Sequence, residues 1–145
     1  MIFCQKFNME NLEREIFRAA KTALIDRNEQ SPEILRPRLI INKVEDELKT
    51  LTYIVNRLEE CDEFWFSAAF LTNSGVACLY NSLKIFSEKI NKKGKVLVSD
   101  YLYFTQPEAL KKISSLPNIK TRLHREGKFH GKGYLFRIGK KYDLL

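Results

Sequence analysis

Apolar positions near the start of the chain fall at helical spacing. Leu12, Ile16, Ala19, Ala20, Ala23 and Leu24 predict a helix near residues 9–26. Residues 27–32 form a polar loop closed by Pro32. Residues 36–42 read as extended, because Pro37 opposes helix. Val44, Leu48, Leu51, Ile54, Val55 and Leu58 then make one stripe over residues 43–61, a second helix suited to packing on a sheet. The period changes at Glu63. Residues 63–71 are a dense apolar run, bounded by charge and by Asn73-Ser74-Gly75, and have the length of a strand buried in a mostly parallel sheet. Val76, Leu79, Leu83 and Phe86 predict a helix over 74–90, stopped by Asn91-Lys92-Lys93-Gly94. Residues 96–99 form a short buried strand. Residues 107–114 form a short helix with Pro107 in its first turn. Residues 119–124 and 129–138 are further strands, and after a turn at Gly139-Lys140-Lys141 a fifth begins at Tyr142. Strands alternating with helices predict an α/β fold, a mostly parallel or mixed sheet flanked by helices, with right-handed crossovers. The sequence stops at Leu145 inside that fifth strand, which reads as a piece of a longer chain.

Composition narrows the class. With 145 residues, 44% apolar and 30% charged, the chain has the size and balance of one globular domain with a sizeable core. No apolar run reaches the ~20 residues of a membrane span, and no signal-peptide layout opens the chain, so a cytoplasmic, membrane-free protein is expected. Cys4, Cys61 and Cys78 are odd in number and scattered, which fits reduced thiols and neither a disulfide framework nor a metal site. Charge is uneven. Residues 1–83 carry 10 Lys/Arg against 13 Asp/Glu, a net of −3, whereas residues 84–145 carry 15 against 5, a net of +10. A basic half points to a polyanionic partner, nucleic acid first; a face that serves solubility alone is the plainer alternative.

The chemistry concentrates in Phe129-His130-Gly131-Lys132-Gly133-Tyr134-Leu135-Phe136. On a strand, residues i and i+2 share a face, so His130 and Lys132 would stand side by side. An imidazole beside an ammonium supplies a nucleophile or general acid together with a fixed positive charge for phosphoryl oxygens. A solvated strand start is the ordinary alternative. Other signals are missing. There is no P-loop, no dinucleotide fingerprint and no nucleophile elbow.

His-x-Lys running into Tyr134-Leu135-Phe136 resembles the first part of the phospholipase D signature. Three further blocks, Glu63–Gly75, Lys95–Leu110 and Pro117–Leu123, precede it in order. Together they resemble the phospholipase D-like nuclease domain at the N-terminus of bacterial DEAD/DEAH-box helicases, over residues 36–145, with residues 1–35 as an N-terminal helical segment. The resemblance implies His130 as nucleophile and Lys132 as oxygen-holding cation, with no cofactor in this domain. ATP and magnesium would belong only to the helicase part. It also implies a second histidine, borrowed from another copy of the motif in cis or across a homodimer, and a helicase domain in cis. In the superfamily motif an Asp stands five residues after the Lys; here that position is Arg137. The Gly-Ser-Ser-Asn segment that completes the family's pocket would follow Leu145.

Further candidates lie at strand ends. Ser74 and Gly75, and likewise Ser99, Asp100 and Tyr101, follow strands at the carboxyl edge where open α/β sheets bind ligands. Thr72 and Asn73 read as helix caps, and Asp100 as either a partner of His130 or a turn residue. Arg122, Arg125 and Lys128 lead into the site and suit a nucleic-acid backbone; Glu126 suits a surface ion pair with Arg125. His124 matches no motif and reads as a surface histidine. The leading expectation is a metal-independent phosphodiesterase acting on DNA. The rival is a non-catalytic DNA-binding or dimerisation module, and a third reading is a scaffold that docks the helicase without touching DNA.

Overall fold

The computed structural model describes residues 49–145, together with Arg14, Ile40 and Asn42. The helix expected near residues 9–26, the loop over 27–32, the extended segment over 36–42 apart from Ile40 and Asn42, and residues 43–48 of the second helix lie outside the described residues. The elements run α1 (Thr50–Glu60), β1 (Glu63–Ala68), α2 (Asn73–Glu88), β2 (Lys93–Ser99), a 3-10 turn (Tyr101–Tyr103), α3 (Pro107–Ser114), β3 (Ile119–His124), β4 (Gly133–Ile138) and β5 (Lys141–Leu144). The sheet order is β3-β2-β1-β4-β5. Strands β1, β2 and β3 are parallel; β4 runs antiparallel to β1 and β5 antiparallel to β4. The fold is α/β with a mixed five-stranded sheet and helices beside it.

Alternation along the strands sorts the two faces. Phe64, Phe66, Val96, Val98, Ile119 and Phe136 turn to one side and join Ile54 and Leu58 of α1, Val76, Leu83 and Phe86 of α2, and Ala109 and Ile113 of α3 in one core. Phe66 is its aromatic centre: its ring centroid lies 4.3 Å from Phe64, 5.0 Å from Tyr134 and 5.4 Å from Phe136. Burial of each such ring contributes about 1.5–3 kcal/mol. Cys61 is fully buried here, and burial pushes its thiol up to about 11, so it behaves as a core residue rather than a reactive one. Cys61 and Cys78 are both free.

Local chemistry sets the helix ends. Thr72 caps α2, its hydroxyl accepting the Gly75 N–H at 3.1 Å. Pro107 opens α3, with Glu108 in its first turn and Lys111 and Lys112 in its last, matching the helix dipole. Helix α1 is tied to the sheet edge through Asp143 of β5, which accepts from Tyr53 Oη and from Arg57 Nε, the latter at 2.5 Å. Burial and the Asp143 carboxylate together raise the Tyr53 phenol above its ordinary range.

Gly94 differs from expectation. The sequence places it in the stop of a helix, but α2 ends at Glu88 and Asn91 takes the left-handed turn at φ 66°. Gly94 belongs to β2 and faces the core beneath Phe64. A Cβ there would stand 2.4 Å from Phe64 Cζ and 3.1 Å from Ile119 Cγ1. Gly94→Ala is therefore expected to destabilise the domain by about 1–3 kcal/mol through overpacking. Denaturant unfolding checks this, and unchanged stability would contradict the packing described.

Candidate functional site

Strand β4 does not lie beside β3; β2 and β1 stand between them. Residues 125–132, which join β3 to β4, must therefore cross the carboxyl ends of both intervening strands. Ring positions agree with that path. The His130 ring lies 6.2 Å from Tyr101, just past β2, and 6.4 Å from Phe70, just past β1. Phe129 packs edge-on to His124 at the end of β3, at 5.7 Å. Gly131 fits closely under Phe129, where an added Cβ would stand 2.9 Å from Phe129 Cε2.

His130 and Lys132 are both exposed, with Lys132 Nζ 3.1 Å from His130 Nε2. An ammonium only donates, so in this contact Nε2 is the acceptor. A ring nitrogen thus stands in hydrogen-bond contact with a cation. Toward a phosphodiester, such a pair can offer an attacking atom and a charge for the non-bridging oxygens. The pairing expected from the sequence is present, but its backbone differs. The strand expected over residues 129–138 begins only at Gly133, because β1 ends at Ala68 and its ladder with β4 ends at Ser67–Gly133. Residues 129–132 have no strand to pair with, and the two side chains meet from an irregular segment.

The remaining candidates spread along the same edge. Tyr101 reaches His130, as given above. Ser99 is fully buried; its hydroxyl accepts the Tyr101 N–H at 3.0 Å and its carbonyl accepts from Thr105 Oγ1 at 2.5 Å, so it braces the loop rather than lining an open pocket. Asp100 donates its N–H to the His124 carbonyl and accepts from the Tyr103 N–H; among the described residues no hydrogen bond joins its carboxylate to His130. Ser74 and Gly75 stand exposed at the start of α2, with the Gly75 N–H held by Thr72. Arg122, Arg125 and Lys128 are all exposed, Arg122 on β3 and the other two in the crossing segment. No Arg125–Glu126 ion pair forms among the described residues. Arg137 lies at the opposite end of β4, where Nη2 meets Glu63 Oε1 at 2.8 Å. That bond raises its guanidinium pKa, so Arg137 is structural here. Among the described residues no three His, Cys, Asp or Glu side chains converge as a metal site, and no helix is long and apolar enough to cross a membrane.

Residues 100–106 carry features that local pattern did not reveal. Leu102 and Tyr103 are consecutive left-handed residues, φ 56° and 57°, in an exposed turn. The turn is braced to the β1–α2 loop: Leu71 N–H donates to Thr105 Oγ1, Gln106 N–H to the Leu71 carbonyl, and Asn73 N–H to Gln106 Oε1 at 2.6 Å. Phe70 and Phe104, both exposed, meet edge to face at 5.7 Å beside His130. The only sequence signal was the apolar run Tyr101–Phe104 outside any predicted element.

No family model and no curated protein matches the chain. Among solved structures, NucT from Helicobacter pylori is similar over 65% of this chain and 73% of that one, at 11% identity and a TM-score of 0.41.

Left-handed backbone costs a non-glycine residue about 1–2 kcal/mol. Tyr103 is 91% exposed and contributes little burial to offset that. Tyr103→Gly is therefore expected to raise stability by about 0.5–1 kcal/mol. Equilibrium unfolding reads this directly, and a loss of stability would mean that the tyrosine ring holds the turn.

Proposed function

We propose that this protein is a phospholipase D-like phosphodiesterase that cleaves nucleic acid, DNA first, with His130 as nucleophile. The observation that carries this reading is the 3.1 Å contact between His130 Nε2 and Lys132 Nζ on the carboxyl edge of the parallel strands. The basic C-terminal half and the motif order support it. His130 Nε2 attacks phosphorus, forming a P–N bond as the P–O bond to the leaving nucleoside breaks. Lys132 holds the non-bridging oxygens while charge builds on them. A second histidine gives the leaving oxygen its proton, and water then breaks the P–N bond and releases the phosphate product. The chain has only two histidines. His124 lies against Phe129, and the acid comes from a second copy of the motif, in cis or across a homodimer. Arg122, Arg125 and Lys128 contact the nucleic-acid backbone. No metal or cofactor takes part in the domain's reaction. In its native setting the domain precedes a DEAD/DEAH-box helicase in a cytoplasmic bacterial protein.

One observation favours a second reading, a DNA-binding or dimerisation module without chemistry: within the described residues the second histidine, His124, packs against Phe129 and not against His130.

Cleavage of DNA in excess EDTA by the protein and by its His130→Asn variant separates the two. The phosphodiesterase reading expects cleavage that survives EDTA and falls at least ~10³-fold in the variant, with DNA affinity within a few-fold. Equal cleavage by both, or loss in EDTA, would overturn it. No cleavage by either, with salt-sensitive DNA binding intact, would establish the binding module.

A further inference from the structure

The sheet face opposite the helices is open and carries its own chemistry. Its rows follow from the strand register. Lys120, Lys95, Trp65 and Leu135 stand side by side across four strands, and above them Arg122, Leu97, Ser67 and Gly133 do the same. None of these residues joins the core cluster. They line a groove of about 640 Å³. Its floor is apolar, from Trp65, Leu97 and Leu135; its cations are Lys95, Lys120 and Arg122, and no carboxylate lines it. Among the described residues none of the three cations forms an ion pair with a carboxylate. Lys95 Nζ stands 5.7 Å from the Trp65 ring centroid, so a cation and an aromatic surface are adjacent.

We infer that this open face is a binding track for a single strand of nucleic acid that leads to the His130–Lys132 pair; the inference deepens the phosphodiesterase reading and rests on it. Three cations with no ion-pair partner among the described residues complement a polyanion. An aromatic ring set among them suits an unpaired base, whose π-face is free to stack whatever its sequence, whereas a duplex hides those faces. Continuity supplies the direction. The upper row ends at Gly133, the residue after Lys132, so a backbone following Arg122 across the sheet arrives at the candidate site. The nucleotides bound on this face lie to one side of the scissile bond, and the substrate is single-stranded there.

Trp65 is the chain's one tryptophan, so its emission reports on this face alone. The His130→Asn protein, used so that nothing is cut, is titrated with oligo-dT and with a duplex of equal length at several salt concentrations. The expected result is saturable quenching of Trp65 by oligo-dT and at least tenfold weaker quenching by the duplex. Lys120→Gln with Arg122→Gln, checked for folding by circular dichroism, should weaken oligo-dT binding at least tenfold. That pair should also reduce the slope of log affinity against log salt by about 1.4, the value for two lost single-strand phosphate contacts. Binding without quenching, equal binding by the double variant, or no binding would overturn the inference. So would a Trp65 change that follows protein concentration without nucleic acid, which would assign the face to a second copy of the chain. Cleavage plays no part in this readout. Absent quenching beside intact cleavage by the parent protein removes the track and leaves the phosphodiesterase, whereas quenching without cleavage does the reverse.

Discussion

Three parallel strands laid down in one direction, β1 to β2 to β3, leave their carboxyl ends along a single edge, and the chain reaches β4 only by returning across that edge. This return places the His130 segment. It brings the His130 ring within contact of Phe70 and Tyr101, and the Phe129 ring within contact of His124, residues from three different strand ends. It also sets the two faces apart. Helices α1, α2 and α3 share one core on one side, and the row of Lys120, Lys95, Trp65 and Leu135 faces the other.

The edge is braced by side-chain-to-backbone hydrogen bonds as well as by packing. Thr105 joins the β1–α2 loop to the end of β2, accepting from Leu71 and donating to Ser99. That bracing fixes the loops beside His130 and over-determines a turn with two left-handed residues, the circumstance in which such strain persists. In the proposed reaction such a frame would serve His130 and Lys132, because misplacement at the reacting atoms costs rate steeply.

Much of the fold was legible where local chemistry is decisive. Pro107–Ser114 and Ile119–His124 fall as the sequence predicts, since a proline in the first helical turn and a short alternating run leave little choice. The apolar run after Glu63 continues past the end of β1 at Ala68, because apolarity records burial and Ala69 is buried outside the ladder. Gly94 was misread because a glycine after a helix and a glycine under a phenylalanine ring look alike in sequence. The site was legible in part. The i, i+2 spacing found the His130–Lys132 contact, although the strand that justified it starts later, at Gly133. The bracing by Thr105 and Gln106 and the open face around Trp65 depend on strand order, which no local pattern encodes.

The central claim is that His130 Nε2 forms a bond to phosphorus. Mass spectrometry of the peptide carrying His130, from a single-turnover reaction with DNA quenched at alkaline pH, tests it most directly. The account predicts a phosphoryl-linked adduct on His130 that forms with the first turnover and is lost on acid treatment. Cleavage that proceeds with no adduct, or with an adduct on another residue, would contradict it.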